Sequence, residues 1–469
     1  MADQEQRRKI VVVGGGITGL TTAYYLQKQI REQCLPIDVL LIEASLRLGG
    51  KIQTYRKNNV IMERGPESFF DREGHIHQLA KELKIDSQLT ANKLGPTYVA
   101  VGSQLYPIPE RLMAGDAPHV SSFITSGLFS ISGKIRASGD FVISRTKEKI
   151  DQPVGPFFRR RFGAEIVENL VEPLLASVYA GDVEQLSLQS TFPQLYHLEQ
   201  QHRSLLLGMR KEQSSIFYGS PSKNEDEGIF ETFTNGLETL VEAMEHALLP
   251  QTVMKGIKVE RIETTTTKTA VVLSHTAPVM ADQVVVATPF YVTEQLLAAY
   301  HIKPLQQMTA ATMATVNMIF HKDQALDWNA LAFFVSRNSD FAITSCTWSN
   351  LKWPLTANKE QVLLRIYIGR VGDETIVELS DKEIEETVLQ DLKKTTDITG
   401  RPQQTVITRW KKGMPQYTVG HQQRVAEIKQ ILQKECPSIH VAGSSFEGIS
   451  IPECIAQGKQ VAQQLLMKE

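Results

Sequence analysis

Three glycines and one glutamate have the spacing of a dinucleotide phosphate site. Gly14, Gly16 and Gly19 form GxGxxG directly after the apolar run IVVV, and the helical pattern LTTAYYLQKQI follows them. The first glycine permits a tight turn, the second lets backbone approach a pyrophosphate, and the third lets the helix pack on the strand. Glu43 ends a second apolar pattern, DVLLIE, where an acidic side chain can bind ribose hydroxyls. This run predicts a βαβ unit that holds a dinucleotide at a helix N-terminus.

A second glycine pair, flanked by basic residues, favours a flavin over a nicotinamide dinucleotide. It lies in RLGGK, residues 47–51, and is expected to close over the other face of the diphosphate, a clamp that nicotinamide enzymes rarely need. The turn-rich stretch MERGPESFF, residues 62–70, follows, and its backbone is expected to run under an isoalloxazine ring. These segments resemble the FAD-binding half of the monoamine oxidase, phytoene desaturase and protoporphyrinogen oxidase superfamily. A plain surface turn is the alternative interpretation of RLGGK.

Composition excludes several classes of protein. The chain has 469 residues, 42% of them hydrophobic, so it can bury large cores and is expected to divide into two or three lobes. With 50 basic and 52 acidic residues, nothing favours a nucleic-acid partner. The four cysteines and eleven histidines lack metal-ligand spacing, so we expect no metal, and free thiols indicate a reducing compartment. The first ten residues lack an apolar signal core, and no apolar run reaches about 18 residues, which favours a cytoplasmic location without a spanning helix.

The strands of the dinucleotide-binding unit are not contiguous in the sequence. Short alternating patterns, KGIKVERIE, TAVVLSH and MADQVVVATPF, predict a meander that ends in a buried strand. A last strand, IHVAGSS, precedes a glycine-rich turn and an amphipathic helix. A split Rossmann-like domain explains this order. The insertions between its pieces must then carry the substrate site, the first one mostly helical and the second one a sheet with a covering helix.

One stretch of the first insertion carries the most specific resemblance. FFRRRFGAEIVENLVEPLLASVYAGDVEQLSL, residues 157–188, resembles oxygen-dependent protoporphyrinogen oxidases through its FFRRRFG, EPLL, YAGD and LS elements. The similarity continues through SRNSDFAITSCTW, RWKKGMPQY and AGSSFEGISIPECI, so it covers essentially the whole chain. In detail it is similar to the Gram-positive type, which oxidises coproporphyrinogen III to coproporphyrin III in haem biosynthesis. The resemblance implies FAD as hydride acceptor, oxygen as final acceptor and hydrogen peroxide as by-product.

The predicted fold class is α/β, and the resemblance implies three domains. The FAD-binding domain, a split Rossmann-like fold, is expected at 1–60, 225–295 and 405–469. An α+β substrate-binding domain is expected at 61–93, 202–224 and 296–404, and a mostly helical membrane-binding domain at 94–201. Residues 108–143 mix apolar and basic side chains, a pattern typical of helices in the lipid headgroup region and equally of ordinary surface helices. The resemblance also leaves open contact with the inner face of the cell membrane and with the next haem-pathway enzyme.

The resemblance implies a set of cofactor contacts, whereas no catalytic side chain is expected because the flavin accepts the hydride. The contacts are Gly14, Gly15, Gly16, Ile17, Thr18 and Gly19 at the pyrophosphate, Glu43 and Ala44 at the ribose, Arg47, Gly49, Gly50 and Lys51 at the second phosphate face, Gly65, Pro66, Glu67 and Ser68 beside the flavin, Val259 at the adenine, and Trp410, Gly443, Ile449, Ser450 and Ile451 on the C-terminal side. Core packing is the alternative for Val259 and Trp410.

Substrate contacts are expected from apolar residues and cations. Val178, Ile343 and Trp348 are the candidates for sandwiching the macrocycle. The candidate propionate anchors are Lys51, Arg64, Arg72, Arg159, Arg160, Arg161 and Arg210, with a solvated helix start as the preferred interpretation of the arginine run. Thr97 stands where plant and animal relatives have an arginine. The other functions considered are a flavin amine oxidase, a carotenoid desaturase and a non-catalytic FAD-bound scaffold.

Overall fold

The computed structural model describes residues 7–108, 125–146, 150–212, 227–324, 330–396, 398 and 400–467. The strands are β1 Arg8–Val13, β2 Ile37–Glu43, β3 Thr54–Lys57, β4 Val60–Glu63, β5 Leu89–Lys93, β6 Thr97–Val101, β7 Gln104–Ile108, β8 Glu227–Phe233, β9 Val253–Lys255, β10 Val259–Thr264, β11 Thr269–Leu273, β12 Val279–Ala281, β13 Gln283–Val286, β14 Thr309–His321, β15 Ala332–Val335, β16 Ile343–Trp348, β17 Gln361–Ile368, β18 Gln404–Gln416 and β19 Ile439–Val441.

The α-helices are α1 Ile17–Gln33, α2 His75–Leu83, α3 Ile131–Ser138, α4 Val154–Phe162, α5 Ala164–Ile166, α6 Glu172–Tyr179, α7 Leu188–Thr191, α8 Pro193–His202, α9 Leu205–Glu212, α10 Glu238–Ala247, α11 Phe290–Leu296, α12 Lys303–Gln306, α13 Ser349–Lys352, α14 Asp381–Thr395, α15 His421–Glu435 and α16 Ile451–Met467. Within the described ranges, no helix has both the length and the apolar character needed to cross a membrane.

A five-stranded parallel sheet forms the dinucleotide-binding core, in the order β19-β13-β1-β2-β9. The apolar run of β1 is buried on both faces: Ile10 and Val12 pack with α1, while Val11 and Val13 pack against the meander and α15. A central parallel strand needs this continuous apolar pattern because helices cover both of its sides. The strand order joins pieces from near residue 10, 255, 285 and 440, so the predicted split Rossmann-like arrangement is confirmed.

The predicted meander is β10-β11-β12, a three-stranded antiparallel sheet. The chain passes directly from β12 into β13, which returns to the parallel sheet beside β1 with Val284 opposite Val11. The buried strand expected at the end of the meander is therefore present. This return places the segment after β13 next to the GxGxxG turn, where Ala287 N–H donates to Val13 O at 2.8 Å.

A seven-stranded sheet, in the order β18-β14-β17-β16-β15-β6-β7, forms the second large layer. One face packs on α14, whose Ile384, Val388 and Leu392 are buried against it, as the predicted covering helix requires. Three strands lie outside the domain expected for them. The hairpin of β6 and β7 falls in the range predicted as helical, and β18 falls in the range predicted for FAD binding. Both join this sheet through long-range pairing, since β18 pairs along β14 and β6 pairs with β15.

Helices α3 to α9 form a third, helical part of the structure. Its core contains aromatic and aliphatic side chains such as Phe157 and Leu195, together with buried charges. Arg161 is fully buried, and its guanidinium donates to Asp140 Oδ1 at 3.1 Å and to the Glu199 carboxylate. The preferred interpretation of the arginine run as a solvated helix start is wrong for Arg161, because periodicity alone does not show which arginine faces the two carboxylates.

Candidate functional site

The GxGxxG turn has the geometry of a phosphate cradle. Gly14 has φ +104°, a region that favours glycine, and a Cβ on Gly19 would lie 1.9 Å from Gly14 O. These two glycines are therefore required by the protein itself. A Cβ on Gly16, in contrast, would meet no protein atom within 4 Å. Gly16 is the N-cap of α1 and no side chain caps the helix there, so the N–H groups of its first turn suit an anion.

The second glycine pair meets the first one. Gly49 N–H donates to Gly15 O at 2.8 Å, and a Cβ on Gly50 would lie 3.1 Å from Gly16 Cα. The two glycine motifs therefore lie in direct contact. Arg47 was expected at a phosphate. In the structure its guanidinium instead donates to the carbonyl oxygens within 48–52. It shapes the turn that presents the two glycines.

Glu43 lies at the carboxyl end of β2, beside the same turn. Its carboxylate accepts hydrogen bonds from Gly15 N–H at 2.6 Å and Ser45 N–H at 2.8 Å, which fixes its orientation. A carboxylate has about four lone-pair positions, so it retains capacity for ribose hydroxyls. The exposed Ala44 follows it. Val259 is 7% exposed at the start of β10, and Ile257 two residues earlier donates to Glu43 O, so both predicted nucleoside contacts lie near the carboxyl end of β2.

The loop with Gly65, Pro66, Glu67 and Ser68, which we call the flavin-side loop, follows β4. It crosses the second glycine turn closely, since a Cβ on Gly65 would lie 1.7 Å from Lys51 O. Trp410 packs against this crossing, and its Nε1–H donates to Arg64 O at 2.9 Å. Trp410 therefore contacts the loop that was expected beside the flavin.

Two basic residues hold the flavin-side loop from the seven-stranded sheet and α13. Arg365, in β17, donates to Glu63 O and Gly65 O, and Lys352 pairs with the Glu67 carboxylate at 2.8 Å. Burial by itself would raise the pKa of Glu67, but the charges of Lys352 and Arg365 lower it to about 2. The Glu67 side chain thus anchors the loop. Sequence analysis missed Arg365, although one charged residue within the apolar run VLLRIYIG was a usable signal, because a buried charge needs partners.

The C-terminal turn closes the site from the other side. Lys51 Nζ donates to Gly413 O at 2.6 Å, and burial lowers the pKa of this amine. Gly443 has φ +118°, and a Cβ there would lie 3.9 Å from the hydroxyl of Thr18, near the start of α1. Ile449, Ser450 and Ile451 form the entry to α16, where Ser450 and Glu453 cap the helix reciprocally.

The predicted apolar substrate residues separate into two groups. Val178 is 43% exposed on α6, two residues before Ala180, which belongs to the small cluster with Tyr367 and Trp410. Ile343 and Trp348 are each 1% exposed in the core under α14. Successive strand residues point to opposite faces, and Arg365 and Tyr367 occupy the other face of this sheet. The prediction for Ile343 and Trp348 is therefore wrong in geometry: apolar character in this strand marks the core and not the cleft.

The candidate propionate anchors differ in their surroundings. Arg159 pairs with Glu184 at 2.6 Å and Arg160 with Glu199 at 2.6 Å, so both are used within the helical part. Arg64 donates to Thr408 Oγ1 at 2.9 Å beside the flavin-side loop. Arg72 and Arg210 are exposed. Thr97 is buried in β6, away from solvent.

Comparisons with known proteins decide the family. A family model described as flavin containing amine oxidoreductase matches residues 17–466. The chain belongs to the flavin-containing amine oxidoreductase family. It is 44% identical over 98% of both chains to the coproporphyrinogen III oxidase of Bacillus subtilis (strain 168), and 35% identical to that of Staphylococcus aureus (strain NCTC 8325 / PS 47) over 98% of this chain and 99% of that one.

A solved structure agrees with this assignment. The crystal structure of a protein from Exiguobacterium sp. 255-15, whose name gives protoporphyrinogen oxidase as its proposed activity, superposes with a TM-score of 0.88 at 31% identity and covers 98% of this chain and 99% of that chain. The protein takes FAD as its cofactor. The residues fit that group, because the open space at Gly16 and the free start of α1 lie where the two glycine motifs meet.

Proposed function

We propose that the protein is an FAD-dependent oxidase that converts coproporphyrinogen III to coproporphyrin III with oxygen as acceptor, in haem biosynthesis. The observation that carries this proposal is the 44% identity to the Bacillus subtilis coproporphyrinogen III oxidase over 98% of both chains. Agreement over the whole length includes the helical part and the second sheet, where a substrate pocket would be built.

The residues of the chain have limited chemical tasks in this reaction. Bound FAD supplies the hydride acceptor and, with oxygen, the route to hydrogen peroxide. The chain must hold the dinucleotide between Gly16 and Gly50, fix the flavin-side loop through Trp410 and Arg365, and exclude water from the ring. No described side chain has to form a covalent bond with the substrate.

Substrate choice is the finer part of the proposal. Coproporphyrinogen III carries four propionates and protoporphyrinogen IX two, so a pocket with cations at opposite ends favours the former. An unpaired buried cation costs on the order of 1–3 kcal/mol, which is enough for at least a fivefold preference.

The test is a side-by-side measurement of kcat/KM with each porphyrinogen, following porphyrin fluorescence under air. The ratio of the two kcat/KM values is compared between Arg64→Met, a change beside the flavin-side loop, and Arg72→Met, a change at an exposed residue. A higher kcat/KM for protoporphyrinogen IX would contradict the substrate assignment, whereas flavin reduction by an amine but by neither porphyrinogen would contradict the reaction.

We also propose that the protein attaches to the inner membrane surface as a peripheral protein of the cytoplasm. Ile131 and Ile135 on α3 are 78% and 68% exposed, and Phe141 and Val142, shortly after α3 in the chain, are also exposed. Part of the predicted segment, 109–124, lies outside the described residues. Flotation with anionic liposomes at low salt tests the proposal: an Ile131→Asp, Ile135→Asp double variant should float less than wild type, and equal flotation would contradict it. Contact with the next haem-pathway enzyme is proposed on the resemblance alone.

A further inference from the structure

Arg365 is an unusual interior residue, because it is 1% exposed and its guanidinium has no direct carboxylate partner among the described residues. It donates to the carbonyl oxygens of Glu63 and Gly65, and its Nη2 and Nε donate to the Tyr367 hydroxyl at 2.8 and 3.1 Å. A buried charge is costly unless it is paired. These bonds use four of its five N–H donors, and none of the acceptors carries a negative charge.

The neighbouring charged groups do not cancel it. Lys352 and Glu67 form an ion pair at 2.8 Å and balance each other. The Glu63 side chain is 8% exposed and bonded to Thr54 and to Leu237 N–H, and burial raises its pKa to about 8, so it is protonated at neutral pH. The next carboxylate outward, Glu238, bonds to Thr54 N–H and lies 3.8 Å from Arg47. The buried group around Arg365 therefore carries one excess positive charge.

We propose that Arg365 is a positioning and charge-supplying residue for the flavin: it fixes the carbonyl groups of Glu63 and Gly65 in the flavin-side loop, and its charge favours the anionic reduced form of the ring. The inference rests on the proposed function, which places the ring beside this loop. A charge in a low-dielectric interior acts over several ångströms, and charge near the ring nitrogens tunes a flavin. The planar fork of arginine bridges two carbonyls, which the single ammonium of lysine does less well.

The test compares Arg365→Met and Arg365→Lys with a control, Arg409→Met, as FAD-loaded proteins. Arg409 is the matched control because it lies in the same sheet and also donates to two carbonyls, those of Val377 and Leu379, beside α14. The readouts are the midpoint potential of the bound flavin, measured without porphyrinogen, and the rate of FAD release. Arg365→Met should weaken the preference for reduced flavin at least tenfold, which for a two-electron couple lowers the potential by about 30 mV.

Arg365→Lys should keep the potential near that of wild type but release FAD several-fold faster, because it retains the charge and loses the bridge. Arg409→Met should change neither quantity. A wild-type potential in Arg365→Met would overturn the inference. If Arg365→Met does not fold, Arg365→Gln takes its place, because glutamine keeps a hydrogen-bond donor at the loop carbonyls and removes the charge. The potential of Arg365→Gln should also fall by about 30 mV, and a wild-type potential would overturn the inference.

These outcomes are distinct from failure of the proposed function. If the proposed function fails, the purified protein either takes up no FAD or has a flavin that no porphyrinogen reduces. If the inference alone fails, the porphyrinogen still reduces the flavin, while the potential does not respond to the loss of Arg365.

Discussion

Replacement of Glu63 by glutamine should make the protein more stable in alkaline solution. The carboxyl is 8% exposed, accepts from Leu237 N–H at 2.6 Å and from the Thr54 hydroxyl, and burial raises its pKa from 4.5 to about 8 despite these bonds and the charge of Arg365. Glutamine has the shape of the protonated acid. It can accept from Leu237 and donate to Thr54, so it should fit the site without further change.

The sign and size of the effect follow from this pKa. Between pH 4.5 and 8 the unfolded chain releases the proton while the folded protein keeps it, so stability falls as pH rises through this window and stays low above it. A shift of 3.5 units at 1.36 kcal/mol each gives about 5 kcal/mol as an upper limit. With about 1 kcal/mol per degree of unfolding entropy for a chain of this length, the thermal midpoint shifts by up to about 5 °C.

The assay is calorimetry or near-UV circular dichroism of wild type and Glu63→Gln at pH 5, 7 and 9. The thermal midpoint of Glu63→Gln, relative to that of wild type, should rise from pH 5 to pH 9. Glu67→Gln is the control of opposite sign, because the lowered pKa of Glu67, about 2, gives stability that is fully present above pH 4.5 and is lost only as pH falls towards 2. The thermal midpoint of Glu67→Gln should therefore lie below that of wild type by the same amount at pH 5, 7 and 9. Parallel curves for wild type and Glu63→Gln would show that Glu63 is ionised in the folded protein and would refute the reasoning.

Three further predictions test the site and the helical part. Gly16→Val should fold with a normal thermal midpoint as apoprotein but retain no FAD. Gly19→Val should destabilise the fold itself, because a side chain there meets backbone at 1.9 Å. The flavin absorbance of the purified protein and the thermal midpoint of the apoprotein distinguish the two variants. Glu43→Ala should weaken FAD binding by about 1–3 kcal/mol, measured by fluorescence titration, and an unchanged affinity would remove Glu43 from the site. Arg161→Met should destabilise the protein by about 3–5 kcal/mol because two buried carboxylates lose their partner, while Arg159→Met, at an exposed pair, should cost less than about 1 kcal/mol in the same denaturant titration.

The parts of the fold that sequence analysis predicted well are those with local patterns. The strand, glycine turn and helix at residues 10–33 contain their own signals, and so do the meander and the covering helix α14 with its capping Ser380. The errors came from pairing between distant segments. Nothing in Thr97–Ile108 shows that this hairpin extends a sheet whose other strands lie more than 200 residues away. The prediction that Ile343 and Trp348 contact the substrate was wrong for a related reason, since the pattern of β16 shows an apolar face but not which layer covers it.

Arg365 shows how much of the site depends on contacts of this kind. Its two carbonyl partners lie 302 and 300 residues earlier in the chain, and Trp410 reaches Arg64 O across 346 residues. The sequence pattern marks Arg365 as anomalous, because a charge interrupts a strand that is otherwise buried, but a pattern cannot name partners that the fold brings from another lobe. The flavin-side loop is itself rich in turns and has few apolar side chains to hold it. Its conformation therefore depends on the sheet behind it. A substitution in β17 should change the properties of the bound flavin although no residue of GxGxxG or RLGGK is altered.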